Sequence, residues 1–216
     1  MPSALRVLLT GFEPFGGSPV NPSQLLVQRV ASARVPGLQL HTDVLPVVGG
    51  TGAGSAWKRL LAAVRAHRPH AVVCFGEAHT RGAVSVERVA VNLRDYRVAD
   101  NAGVCVADEA IARGGPAAYF ATLPVHDMVR RANEAGVPCQ LSLSAGAFLC
   151  NEVMYRVLRL GKKEGMPRWA GFVHLPQLPE QQVVRPDPAA PMALEAMERG
   201  TASMLKALTG LSTPDG

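Results

Sequence analysis

Short apolar runs of strand length alternate along most of the chain with amphipathic stretches of helical period, and turn residues separate the two. Strands are predicted at Arg6–Thr10, Leu38–Val44, Ala71–Phe75, Val84–Leu93, Gln140–Ser144 and Gly171–Leu175. Helices fit Pro22–Ala33, Ala56–His67, His126–Ala135, Ala147–Lys163 and Met192–Leu208. A chain in which strand and helix take turns is α/β, and the expected architecture is a single α/β/α sandwich with a twisted, mostly parallel central sheet. The first helix carries its own start signal. Asn21 can cap, Pro22 is preset for the first helical position, and Leu25, Leu26 and Val30 supply an apolar stripe. With 48% apolar residues among 216, no internal repeat and no dividing linker, residues 1–216 are expected to form one domain around one core, with Ser212–Gly216 a loose tail.

Several function classes are disfavoured at once. The net charge of +5 is scattered, and its clusters at Arg130-Arg131 and across Arg156, Arg159, Lys162 and Lys163 read as solvated helix faces. Aromatics make up only 5% and none interleaves with those cations, so no stacking platform for nucleic acid is expected. No apolar run approaches the roughly 18 residues of a membrane span. The N-terminus runs straight into Arg6–Thr10 without an apolar leader or cleavage site, so a cytoplasmic protein is the expectation. Cys74, Cys105, Cys139 and Cys150 form no CxxC pair and are expected to be reduced thiols. No grouped Cys/His spacing occurs, so neither a metal nor an organic cofactor is expected.

In open α/β sheets, ligands bind where loops leave the carboxyl ends of strands; here these are 11–21, 46–55, 76–83, 145–146 and 176–182. Cys150 follows such a loop in the first turn of a helix, where the dipole and unpaired N–H groups would lower a thiol pKa from about 8.5. The small residues Ser144 to Ala147 would let a substrate carbonyl approach backbone donors. The competing reading makes Cys150 a buried member of the stripe Cys150, Met154, Leu158. His174, at a strand end before Pro176, is the best placed of six histidines to serve as its base. Alternation puts Glu87 on one face with Ser85, Val89 and Val91, among apolar neighbours, so the carboxylate needs a cation. A histidine it orients would serve, and so would Arg88 or Arg97. Gly49–Gly54 offers a rival, a phosphate-cradling loop with Glu77 as a ribose-binding acid, although its spacing misses the dinucleotide template.

Four segments carry a resemblance to a known family: Leu9-Thr10-Gly11-Phe12-Glu13-Pro14-Phe15-Gly16-Gly17 with Asn21-Pro22-Ser23, Ser85-Val86-Glu87-Arg88-Val89-Ala90-Val91-Asn92, Ser144-Ala145-Gly146-Ala147-Phe148-Leu149-Cys150-Asn151, and Gly171-Phe172-Val173-His174-Leu175-Pro176 with Leu178-Pro179-Glu180-Gln181. In this order the chain resembles the pyroglutamyl peptidase I family of cysteine peptidases. The resemblance implies Cys150 as nucleophile, His174 as general base and acid, and Glu87 as the group orienting His174. It also implies Phe12 and Phe15 as walls for a flat lactam ring, Arg97 near the active site, peptides with N-terminal pyroglutamate as partners, and a homotetramer. Glu77 stands where the family usually has a substrate-contacting glutamine. An ionised carboxylate can accept from the lactam N–H but cannot donate to its C=O, so weaker binding, or a pH dependence reporting Glu77 protonation, is expected. The alternatives are a non-catalytic nucleotide- or ligand-binding module, and a cysteine amidase with a different acyl specificity.

Overall fold

A computed structural model describes residues 4–184 and 186–211; the segment 212–216, expected to be a loose tail, lies outside the described residues. Strands β1 (Leu5–Phe12), β2 (Leu38–Leu45), β3 (Ala71–Glu77), β4 (Val84–Glu87), β7 (Cys139–Ser142) and β8 (Trp169–Leu175) form one sheet in the order β2-β1-β3-β8-β4-β7. All neighbours pair in parallel except β4 against β8. The parallel strands read as near-continuous apolar runs because both faces are covered: residues 71–76 of β3 are all buried, as is most of β1 and β8. Helices α1 (Pro22–Val30), α3 (Val125–Glu134) and α6 (Leu194–Leu205) form one packed group, and α2 (Ala56–His67) and α4 (Leu149–Glu164) another. Right-handed crossovers from β1 through α1 to β2, and from β2 through α2 to β3, send the two groups to opposite faces.

Local start signals behave as their chemistry requires. Asn21 accepts a hydrogen bond from the Ser23 N–H and Pro22 takes the first helical position. Gly165, in the left-handed region at φ 75°, ends α4.

Three expectations need correction. The run Val84–Leu93 is not one strand: β4 stops at Glu87, and β5 (Val89–Val91) pairs instead with β6 (Ala118–Phe120) in a separate two-stranded sheet. Arg88 is the joint, its N–H donating to Ser142 and its carbonyl accepting from Ala121. Second, the stretch 176–182 is not all loop, since α5 (Pro179–Val184) starts within it. Pro179 opens that helix, and the side-chain Oε1 of Gln181 reaches back to accept from the Leu178 N–H, half of a capping box. Third, Arg156 is not on a solvated face: it pairs with the buried Glu152 at 2.6 Å. Arg130 and Arg131 do lie on a charged helix face, paired with Asp127, and Arg130 also with Glu134.

Candidate active site

In-register pairing sets Gly76 of β3 beside His174 of β8, and the antiparallel register sets Ser85 of β4 opposite His174. Gly76, Phe172, His174 and Glu87 therefore share one face of the sheet, Glu87 lying on the diagonal from His174. The start of α4 lies over this face. A Cβ built on Gly76 would sit 3.0 Å from the Cys150 sulfur and 2.9 Å from the Phe172 ring, so only glycine lets the helix come this close.

The histidine and its carboxylate are in direct contact. His174 Nδ1 lies 2.7 Å from Glu87 Oε1, both side chains buried. The Nδ1–H donates to the carboxylate, which leaves Nε2 as the lone-pair nitrogen. Glu87 has a second partner that the sequence reading did not name: Arg81, in the loop between β3 and β4, donates to the same oxygen at 2.5 Å. Neither Arg88 nor Arg97 fills that role. Arg88 donates to the Ala121 carbonyl and stacks over Phe120, 4.8 Å from its centroid. The other guanidinium nitrogen of Arg81 donates to the Ser144 carbonyl at 2.8 Å, which ties Glu87 to the loop entering α4. The signal available in the sequence was a cation inside 76–83, a loop already marked as facing the site.

Burial by itself would raise the Glu87 carboxyl, but His174, Ser142 and Arg81 more than offset it and hold the group below its usual range. Burial lowers the His174 imidazole despite Glu87. The Cys150 thiol behaves opposite to expectation. Burial, with the Glu87 charge adding to it, pushes the thiol up to about 12, outweighing the helix-start N–H and Arg81. At neutral pH Cys150 is therefore a thiol and His174 a neutral imidazole.

Cys150 is part-exposed and, with His174, lines a cavity of about 740 Å³. Phe12, Phe15, Glu77 and Arg97 line the same cavity, whereas Glu87 lies behind His174 and does not reach it. Phe12 packs on Phe172 with ring centroids 6.4 Å apart, and Phe15 on Phe148 at 5.2 Å. Phe148, not singled out from the sequence, is both a cavity wall and the residue preceding α4. It offers no side-chain cap, so first-turn N–H groups are left for a ligand oxyanion. Glu77 accepts from Gln181 at 2.9 Å. The remaining thiols are Cys74 and Cys139, both buried, and Cys105, which is exposed.

The glycine loop 49–54 is not a phosphate cradle. The Gly49 N–H donates to Asp100 at 2.9 Å and the Gly50 N–H to Glu152 at 3.2 Å, so the chain's own carboxylates occupy the donors a phosphate would use. Among the described residues, no group of three or more His, Cys, Asp or Glu is arranged to hold a metal ion, and no helix is long and apolar enough to cross a membrane.

A family model described as pyroglutamyl peptidase matches residues 5–209. The chain belongs to the pyroglutamyl peptidase family. Similar members include the pyrrolidone-carboxylate peptidase of Gloeobacter violaceus, 44% identical over 94% of this chain and 97% of the relative. That of Pyrococcus furiosus is 38% identical over 90% and 95% of the two chains. Among solved structures, pyroglutamyl peptidase I from Bacillus amyloliquefaciens superposes with a TM-score of 0.89 at 32% identity, covering 97% of this chain and 99% of that one. In this pyroglutamyl peptidase fold, three of the four sequence segments line the cavity, from the end of β1, the start of α4 and the end of β8, and β4 holds Glu87 behind His174.

Proposed function

We propose that the protein removes N-terminal pyroglutamate from peptides, with Cys150 as nucleophile, His174 as general base and acid, and Glu87 holding His174. The observation that carries this reading is a thiol and a tautomer-fixed imidazole in one aromatic-walled cavity. Nε2 of His174 takes the thiol proton as the sulfur attacks the acyl carbon, and N–H groups of the first turn of α4 donate to the oxyanion. The C–N bond then breaks, the imidazolium protonates the leaving amine, and water hydrolyses the thioester to free pyroglutamate. Acyl transfer of this kind is complete with protein groups alone. Phe12 and Phe15 take the flat faces of the lactam ring, Glu77 accepts from its N–H, and Arg97 stands at the rim beside the departing peptide. A homotetramer in the cytoplasm belongs to the same reading and rests on the family resemblance; the exposed Phe120, Leu143 and Val183 are apolar surface that subunit contacts could cover.

A panel of pyroglutamyl, prolyl and glutaminyl amides tests the specificity. Turnover is expected for the pyroglutamyl amide alone and is lost when Cys150 is alkylated. Because Cys105 is also exposed, alkylation is run in a Cys105→Ser background. Comparable turnover of the prolyl amide, or activity that survives alkylation of Cys150, contradicts the reading.

A further inference from the structure

The glycine loop, Tyr96 and Arg156 converge on one buried charge, that of Glu152, two residues after Cys150. Glu152, 2% exposed, accepts from the Gly50 N–H, from Arg156 at 2.7 Å and, in a short hydrogen bond, from the Tyr96 hydroxyl. Arg94 stands 3.9 Å away and is itself paired with Glu109. The Tyr96 ring meets Phe148 edge-on at 4.8 Å, and Phe148 in turn packs on Phe15. On the far side Gly49 touches the same tyrosine: a Cβ there would lie 2.3 Å from its oxygen and about 3 Å from its ring. The Asp95 N–H donates to the Ala147 carbonyl, which sews the Tyr96 segment to the residue before Phe148.

A carboxylate this deep is costly unless every neighbour holds it, and each of its partners serves a second purpose. Arg156, one turn along α4, holds the carboxylate in place, Gly50 ties it to the loop, and Tyr96 transmits its position to the cavity wall. We propose that Tyr96, anchored by Glu152 and backed by Gly49, is a positioning residue that sets where Phe148 stands and thereby the width of the slot for the acyl ring. Tyr96 touches neither the thiol nor the imidazole. Its effect therefore falls on ring binding and leaves the chemical step alone. The proposal rests on the pyroglutamyl reading above and deepens it.

Tyr96→Phe removes only the hydroxyl, and Gly49→Ala drives a methyl group against it. Both are compared with the unsubstituted protein for kcat and KM on a pyroglutamyl chromogenic amide and for inhibition by free pyroglutamate. Tyr96→Phe is expected to raise KM and the inhibition constant together by roughly fivefold with kcat within about twofold, and Gly49→Ala to raise both further. A merely structural role would lower the active fraction, hence kcat, and leave KM and the inhibition constant in place. That result, unchanged constants in both folded variants, or loss of folding in both, overturns the proposal. If the unsubstituted protein fails to hydrolyse the amide, the functional reading itself has failed, which is a separate outcome.

Discussion

Glu87 serves His174 and Arg81 through one oxygen, and that sharing sets the basicity of the site. Burial does most to keep His174 neutral and His174 does most to hold Glu87 ionised, and Arg81 adds to both in the same direction. Arg81→Gln should let Glu87 act on His174 alone. The acid limb of kcat/KM should then move up, and kcat/KM should fall about tenfold as the Ser144 tether is lost. A pH titration of kcat/KM with an unmoved acid limb would refute this role. The three catalytic candidates were legible because each sits at a place sequence can mark: a helix start, a strand end, a charge inside an alternating run. Arg81 was not, since a cation in a loop declares no partner until the sheet closes. The thiol's direction was misjudged for a related reason: the helix start can be read locally, whereas the dryness contributed by Gly76 and Phe172 arrives from other strands.

At the level of elements, the alternating strands and helices were readable because period and turn residues are local properties. The split at Arg88 was not, because the change of phase of the valines there, from 84 and 86 to 89 and 91, is also what a bulge within one strand would give. Only the acceptor at Ser142 and the donor at Ala121, both distant in sequence, end β4 there. The reversed direction of β4 did leave a trace. Residues 78–83 are too few for the dozen-residue crossover that a parallel return requires, so β4 has to run back against β8. That reversal brings Glu87 onto the face beneath α4. The short β5 has a task of its own beside Cys150: Asn151 accepts from the Val91 N–H and donates to the Val91 and Leu93 carbonyls, which pins the first turn of α4. Capping explains the helix missed at Pro179, where the side chain of a glutamine in the third helical position accepts from the N–H of Leu178, the residue before the helix, with no serine or aspartate at the cap to announce it.

Across the whole molecule, the titrating groups of the site give stability a defined pH window. Folded His174 holds its proton less well than the ordinary value of 6.5, and folded Glu87 less well than 4.5. The unfolded chain therefore binds more protons as pH falls through those values, and stability is lost toward acid. Buried Cys74 and part-exposed Cys150 keep their protons to about 12 against an ordinary 9.0. Above pH 9 stability should fall by about 1.4 kcal/mol per pH unit for each thiol. Thermal melts are expected to show their highest midpoint between about pH 6.5 and 9, and a midpoint rising steadily through pH 10 would contradict this. We propose in addition that residues 1–216 unfold as one unit. The same melts should be single transitions, and light scattering of the sample should give four times the chain mass.

The central claim is that a neutral thiol at residue 150 becomes the acyl acceptor when its imidazole takes the proton. Acid-quenching the protein during turnover of a pyroglutamyl ester, followed by peptide mass spectrometry, tests it directly. The account predicts a pyroglutamyl thioester on the peptide containing Cys150, absent from a Cys150→Ser variant that no longer turns over. Undiminished turnover by that variant, or an acyl group found only on another residue, would contradict it.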